Sequence, residues 1–252
     1  MLKRIAIAVS AVILLGPALA AAAPVVFEAS GATPDDIKPS VDAFRDALGT
    51  LNPNQPGSFP SGRREINWDG VPDAFSAPNN LPANFFNANS PRGAVFFTPG
   101  TGFQVSADDD NPTQTPVRFG NLHPVFPLLF STFSPQRLFT ALNSTITETL
   151  FFVPGSSTQA TVSGFGSVFT DVNRPDSTKI EYFDIHGNLL FSRNVLPGPT
   201  ARGSLSFLGV QFDAGERVYM VRITSGNRIP RVPSRDVVVM DDFIYSEPQV
   251  AQ

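Results

Sequence analysis

The stretch "VVVMDDFIYSEP", residues 237–248, decides how the chain is read. Strand alternation puts Val237, Val239, Phe243 and Tyr245 on the side of Asp241, and Val238, Met240 and Ile244 on the side of Asp242. A strand apolar on both faces belongs in the middle of a sheet that is covered on both sides. One cover is an opposing sheet; the other is expected from the N-terminal helix or the phenylalanine-rich first half. The same alternation sends the two carboxylates to opposite faces, so each is expected to find its own partner.

Working outward, "TETLFFVPG", "QATVSGFGSVFTDV", "TKIEYFD", "NLLFSRNVL", "GSLSFLGVQFD" and "RVYMVRIT" precede it as strand candidates at sandwich spacing. "DIHGN" (184–188) offers Gly and Asn for a tight turn, which predicts a hairpin of 178–184 with 188–195. "REINWDG", "GAVFFTP" and "FQVSA" supply earlier strands between loops rich in Pro and Asn. With 24 Pro, 19 Gly and 23 Phe, short strands and many turns are favoured over long helices. The fold expected is an all-β, antiparallel sandwich of jelly-roll type.

One helical pattern stands out: Ile37, Val41, Phe44 and Leu48 recur at helical spacing, with Ser40 as N-cap and Gly49 as stop. It predicts one short helix over 40–48. "NPNQPGSFPSG" (52–62) then reads as a proline-rich linker. The expected organisation is a signal peptide over 1–20, a helix and linker over 21–60, and the sandwich over 61–248.

The leader assignment rests on Lys3 and Arg4, an apolar run from Ile5 to Leu15, and small residues at Ala18–Ala20. No second apolar segment of spanning length follows, so a secreted or periplasmic chain without a transmembrane segment is expected. Removing Lys3 and Arg4 leaves 16 basic against 22 acidic side chains, a net charge of −6. Nucleic acid is a poor partner for such a chain. The absence of cysteine excludes disulfides and thiolate chemistry.

Signatures of catalysis are sparse. There is no G-x-S-x-G elbow, no H-E-x-x-H and no P-loop, and the two histidines, His123 and His186, lie in loop and turn sequence. Glu181, on a strand face, fits a cross-strand partner better than half of a glycosidase pair. Trp68, Tyr182 and Tyr219 are the aromatic candidates for stacking on a sugar, with core filling as the competing use. "TDVNRPDS" brings Asp171, Asn173 and Asp176 onto one loop, close enough for a calcium ion or for turn hydrogen bonds. Asp108, Asp109 and Asp110 read as a solvated acidic turn.

"ATVSGFGSVFTDV", "STKIEYFDIHGNLLFSRNV", "SFLGVQFDAGERVYMVRITSGN" and "DVVVMDDFIYSEP", in this order, resemble the core of secreted bacterial β-sandwich proteins that often carry PEP-CTERM sorting tails. "GRREINWDGVPD" and "RGAVFFTPGTGFQVS" resemble their N-terminal strands, and the sorting tail itself is absent from this sequence. The layout is similar to jelly-roll carbohydrate-binding and concanavalin-like modules. That resemblance implies a structural calcium held by Asp241 or Asp242 with Asn67 or Asp69; the alternative is that Asp241 accepts hydrogen bonds from a loop and Asp242 pairs with an arginine. It also implies binding of polysaccharide or extracellular matrix without catalysis. A carboxylate-based polysaccharide hydrolase or lyase, and a structural surface component, are the rival expectations.

Overall fold

The computed structural model describes residues 23–200, 202–213, 217–231 and 236–251. The expected signal peptide, 1–20, lies outside them. The elements run β1 (Val25–Gly31), α1 (Pro34–Leu48), β2 (Arg63–Ile66), α2 (Phe85–Ala88), β3 (Ala94–Phe97), β4 (Gly102–Val105), α3 (Phe126–Leu129), β5 (Phe139–Leu142), β6 (Ile146–Phe151), β7 (Ala160–Thr161), β8 (Gly164–Thr170), β9 (Lys179–Phe183), β10 (Leu189–Asn194), β11 (Leu205–Gln211), β12 (Met220–Thr224), β13 (Val239–Ser246) and β14 (Gln249–Val250).

The larger sheet has the order β1-β11-β8-β13-β5-β4, and the smaller one β10-β9-β12-β6-β3. β5, β6 and β8 to β13 form the winding core. In chain order they read first-eighth-third-sixth across one sheet and second-seventh-fourth-fifth across the other. This is the jelly-roll path, in which successive strands alternate between sheets except at the β9–β10 hairpin. β13 sits centrally: β8 lines one edge, while β5 and then β2 share the other.

The main core fills the space between the sheets, with Phe103, Phe139, Phe165, Phe243 and Tyr182 among its buried members. On the outer face of the larger sheet, α1 covers Val168, Leu205, Phe207 and Ile244 through Ile37, Val41, Phe44 and Leu48. Phe119, Phe126 and Phe130 cover Val237 and Val239. Both expected covers of the final strand are therefore present, each over one half. α1 comes this close because Gly166 and Gly209 face each other across β8 and β11. A Cβ at either would lie 2.9 Å from the Phe44 ring.

Three expectations are corrected. The helix begins at Pro34, with Thr33 and Asp36 forming a capping box, and includes Pro39 in its interior. Ser40 instead donates to the Glu28 carbonyl at 3.2 Å, tying α1 to β1. Residues 21–60 are not all outside the sandwich, because Val25–Gly31 pairs along its whole length with β11.

Nor is the proline-rich stretch a free linker. Buried Arg64 donates to the carbonyls of Pro53 (2.6 Å) and Gly57 (3.3 Å) while holding Glu247 through two bonds of 2.6 and 2.7 Å. The Phe59 N–H completes the arrangement by donating to Glu247. A segment poor in regular hydrogen bonds is held by side chains from β2 and from the residue just after β13.

No helix among the described residues is long and apolar enough to cross a membrane.

Candidate functional site

The site begins with a break in the alternation of β13. Met240 pairs with Phe169 and Phe243 with Ser167, so Asp241 and Asp242 together oppose a single residue of β8. That is a β-bulge. Val238 and Met240 face the intersheet core before it, and Phe243 and Tyr245 after it. The expectation of opposite faces is thereby overturned: both carboxylates are turned away from the core, and both are buried.

They share a hydroxyl. Ser134 Oγ lies 3.2 Å from Asp241 Oδ1 and 2.7 Å from Asp242 Oδ1. The Phe133 N–H donates to Asp241 Oδ2 at 2.6 Å, and Arg45 of α1 reaches Asp242 Oδ2 at 3.3 Å. Arg45 is also bonded to Glu65 of β2, at 2.8 and 3.1 Å. Of the two readings open from the sequence, these contacts are those of a loop-bonded Asp241 and an arginine-paired Asp242.

Burial, and then the charge of Asp242, push the Asp241 carboxyl well above the ordinary carboxylate range. Burial also raises Asp242, but the Ser134 hydroxyl and Arg45 act against it. The stronger upward push falls on Asp241, since two adjacent buried carboxylates resist ionising together and Asp242 has Arg45 beside it.

Asp69 joins from the other side. Its Oδ1 accepts from the Gln136 and Arg137 N–H groups at 2.5 and 3.0 Å, and burial pushes its carboxyl up against those stabilising bonds. Asp69, Asp241 and Asp242 thus converge on one segment, 133–137, whose donors occupy them. Asn67 is exposed and lines, together with Asp242, a cavity of about 490 Å³. Arg45, Arg92, Glu65 and Phe133 contribute other walls. A second cavity of about 230 Å³ adjoins it, sharing Asn67 and Arg92.

Two of the three aromatic candidates take the competing use, core filling. Trp68 is 1% exposed and stacks on Phe139 at 4.1 Å, while Tyr182 is fully buried with its hydroxyl donating to the Phe165 carbonyl. Tyr182 has no face open to a sugar, and Trp68, which borders the smaller cavity, is almost entirely covered. Tyr219 is half-buried, its hydroxyl 2.9 Å from Gln159 Nε2, and it does not line the larger cavity. Glu181 pairs with Lys179 of its own strand at 2.9 Å, while Arg222, opposite it in register, pairs with Glu148, so the expected cross-strand ion pair is replaced by one along β9.

The Asp171 loop is rearranged relative to expectation. Asp171 is buried, whereas Asp176 is exposed and faces Arg174, so the two do not converge. The carboxylate that joins Asp171 is Asp236, just before the final strand, which accepts from the Asn173 N–H at 2.8 Å and from the Ser177 hydroxyl. Asp171 Oδ1 is buried without a hydrogen-bond partner. Burial first, and then the charge of Asp236, push its carboxyl up to about 6. Among the described residues, no group of three or more His, Asp or Glu side chains is placed to hold one metal ion.

Sequence reading missed Arg45, Ser134, Glu65 and Arg92. The helical pattern already placed Arg45 beside Phe44, but only a bulge, which leaves no mark in residue composition, turns Asp241 and Asp242 toward it. Comparison with models of known protein families finds no match, and a search of curated proteins returns no significant match.

Proposed function

We propose that this is an exported, non-catalytic β-sandwich protein that binds extracellular glycan in the cavity beside the β13 bulge. The carrying observation is the cavity itself: about 490 Å³, within the size range of ligand sites, with Arg, Asn and carboxylate groups around an apolar edge of Leu51 and Phe133. A sugar offers hydroxyls that donate and accept, and C–H faces that pack on such an edge. Asp242 in the cavity wall supports binding over catalysis, because it is already engaged by Ser134 and Arg45, as its neighbour Asp241, which does not line the cavity, is by Phe133 and Ser134. The resemblance to secreted sandwich proteins supports export. A glycan-array screen of the mature chain tests the reading, and failure to retain any glycan over a broad array contradicts it.

A structural calcium forms a separate part of the proposal, at Asp171. Its support is the unpartnered buried Oδ1 beside the charge of Asp236. Calcium at 100 times its dissociation constant adds about 2.7 kcal/mol of stability. Identical melting curves in calcium and in chelator remove the ion and leave the glycan reading intact.

A further inference from the structure

The cations that line the larger cavity are not equivalent. Lys38 pairs with Asp42, and Arg45 with Asp42, Glu65 and Asp242. Arg92 has no carboxylate partner among the described residues. Its Nε donates to the Glu65 carbonyl at 2.9 Å, its Nη1 to the Ser90 hydroxyl, and its guanidinium lies 5.1 Å from the centre of the Phe86 ring. These contacts fix the plane of the group and leave Nη2 without an acceptor among the described residues, at the wall common to both cavities.

The position is costly for a cation. Burial pulls the Arg92 guanidinium below its ordinary pKa, and the nearby charge of Arg64 works in the same direction. Arg64 itself is neutralised by Glu247. A half-buried, oriented and unpaired arginine facing a cavity is the arrangement that an incoming carboxylate completes, because guanidinium and carboxylate match in geometry as well as charge.

We propose that Arg92 receives the carboxylate of an acidic sugar, so that the glycan bound in this cavity contains uronic acid. This rests on the glycan reading and narrows it. The sugar ring lies toward Asn67 and Phe133, and its carboxylate meets the free edge of Arg92. The mature chain is acidic overall, so the ligand's charge is met locally at this arginine and not by long-range attraction.

The test is calorimetric titration of the mature chain with galacturonate, mannuronate and glucuronate oligosaccharides, and with the same oligosaccharides after reduction of their carboxyl groups. At least one acidic oligosaccharide is expected to bind ten-fold or more tighter than its reduced form. Arg92→Gln should bring that ratio below three-fold, and Arg92→Lys should restore part of it. Equal affinity for acidic and reduced forms overturns the inference while leaving a glycan site. Binding of neither form, with no glycan retained on the array, overturns both. An acidic preference undiminished in Arg92→Gln overturns the assignment to Arg92. Should Arg92→Gln fail to fold, the acidic-to-reduced ratio of the unaltered chain still decides whether the carboxylate is read.

Discussion

The indole N–H of Trp68 donates to the main-chain carbonyl of Asp241 at 2.7 Å. That carbonyl belongs to the bulge, and Trp68, two residues after the end of β2, adopts a positive φ of 68°. Trp68, a candidate for stacking on a sugar or for filling the core, takes the second use and is a buried donor near the strand irregularity that shapes the site. Trp68→Phe keeps most of the packing against Phe139 and Phe243 but removes the donor. A loss of about 1–3 kcal/mol is expected in chemical denaturation, because a buried carbonyl is left unpaired.

The two carboxylates should respond unequally to neutralisation. Asn at 241 imitates the protonated acid, can still accept from the Phe133 N–H and relieves the repulsion of Asp242. Asp241→Asn is therefore expected to change stability at pH 7 by less than about 1 kcal/mol. Asp242→Asn removes the charge facing Arg45 and should cost about 1–3 kcal/mol. Equal losses in urea titrations of the two variants would contradict the stronger upward push on Asp241.

Asp171 carries the clearest pH signature. Its carboxyl is raised from 3.8 to about 6, so the folded chain holds this proton more tightly than the unfolded chain does. In chelator, the contribution is fully present below about pH 4, is lost as pH rises toward 6, and is flat above. After discounting for partial solvent access, the fall is on the order of 1–2 kcal/mol. Asp171→Asn should erase this step from a plot of urea midpoint against pH. A step of unchanged size in the variant would assign it to another group.

Arg64 and Glu247 form a buried ion pair that also anchors the 53–59 segment. Glu247→Gln leaves the arginine uncompensated, and a loss of about 3–5 kcal/mol is expected. Limited proteolysis should show new cleavage between Pro53 and Phe59 in this variant. Retained resistance there would mean that the prolines hold the loop without the pair.

How far the sequence could be read follows from which features are local. Periodicity in 237–245 indicates a strand covered on both sides, and it occupies the centre of the larger sheet, with α1 and the 119–130 insert over its outer face. Alternation also projects faces correctly up to Met240. It fails at Asp241, because one extra residue resets the phase of everything after it. β1 escaped notice because "VVFEASG" follows directly on the leader, and its partner β11 is about 180 residues away. The helix expected from Ser40 begins instead at Pro34, behind the capping box of Thr33 and Asp36, and carries Pro39 in its interior. The resemblance implies Asp241 or Asp242 with Asn67 or Asp69; the structure gathers Asp69, Asp241 and Asp242 instead, through a hydroxyl and amides of 133–137, a stretch with no distinguishing pattern.

The central claim is that glycan occupies the cavity between α1, β2 and the 133–137 segment. Leu51 lines this cavity and is 51% exposed, whereas Leu189, 54% exposed, lies at the start of the edge strand β10 and does not line it. The decisive measurement is the affinity of Leu51→Trp and Leu189→Trp for the best glycan from the array, at matched melting temperature. The account predicts at least a ten-fold loss for Leu51→Trp and none for Leu189→Trp; unchanged binding by Leu51→Trp would contradict it.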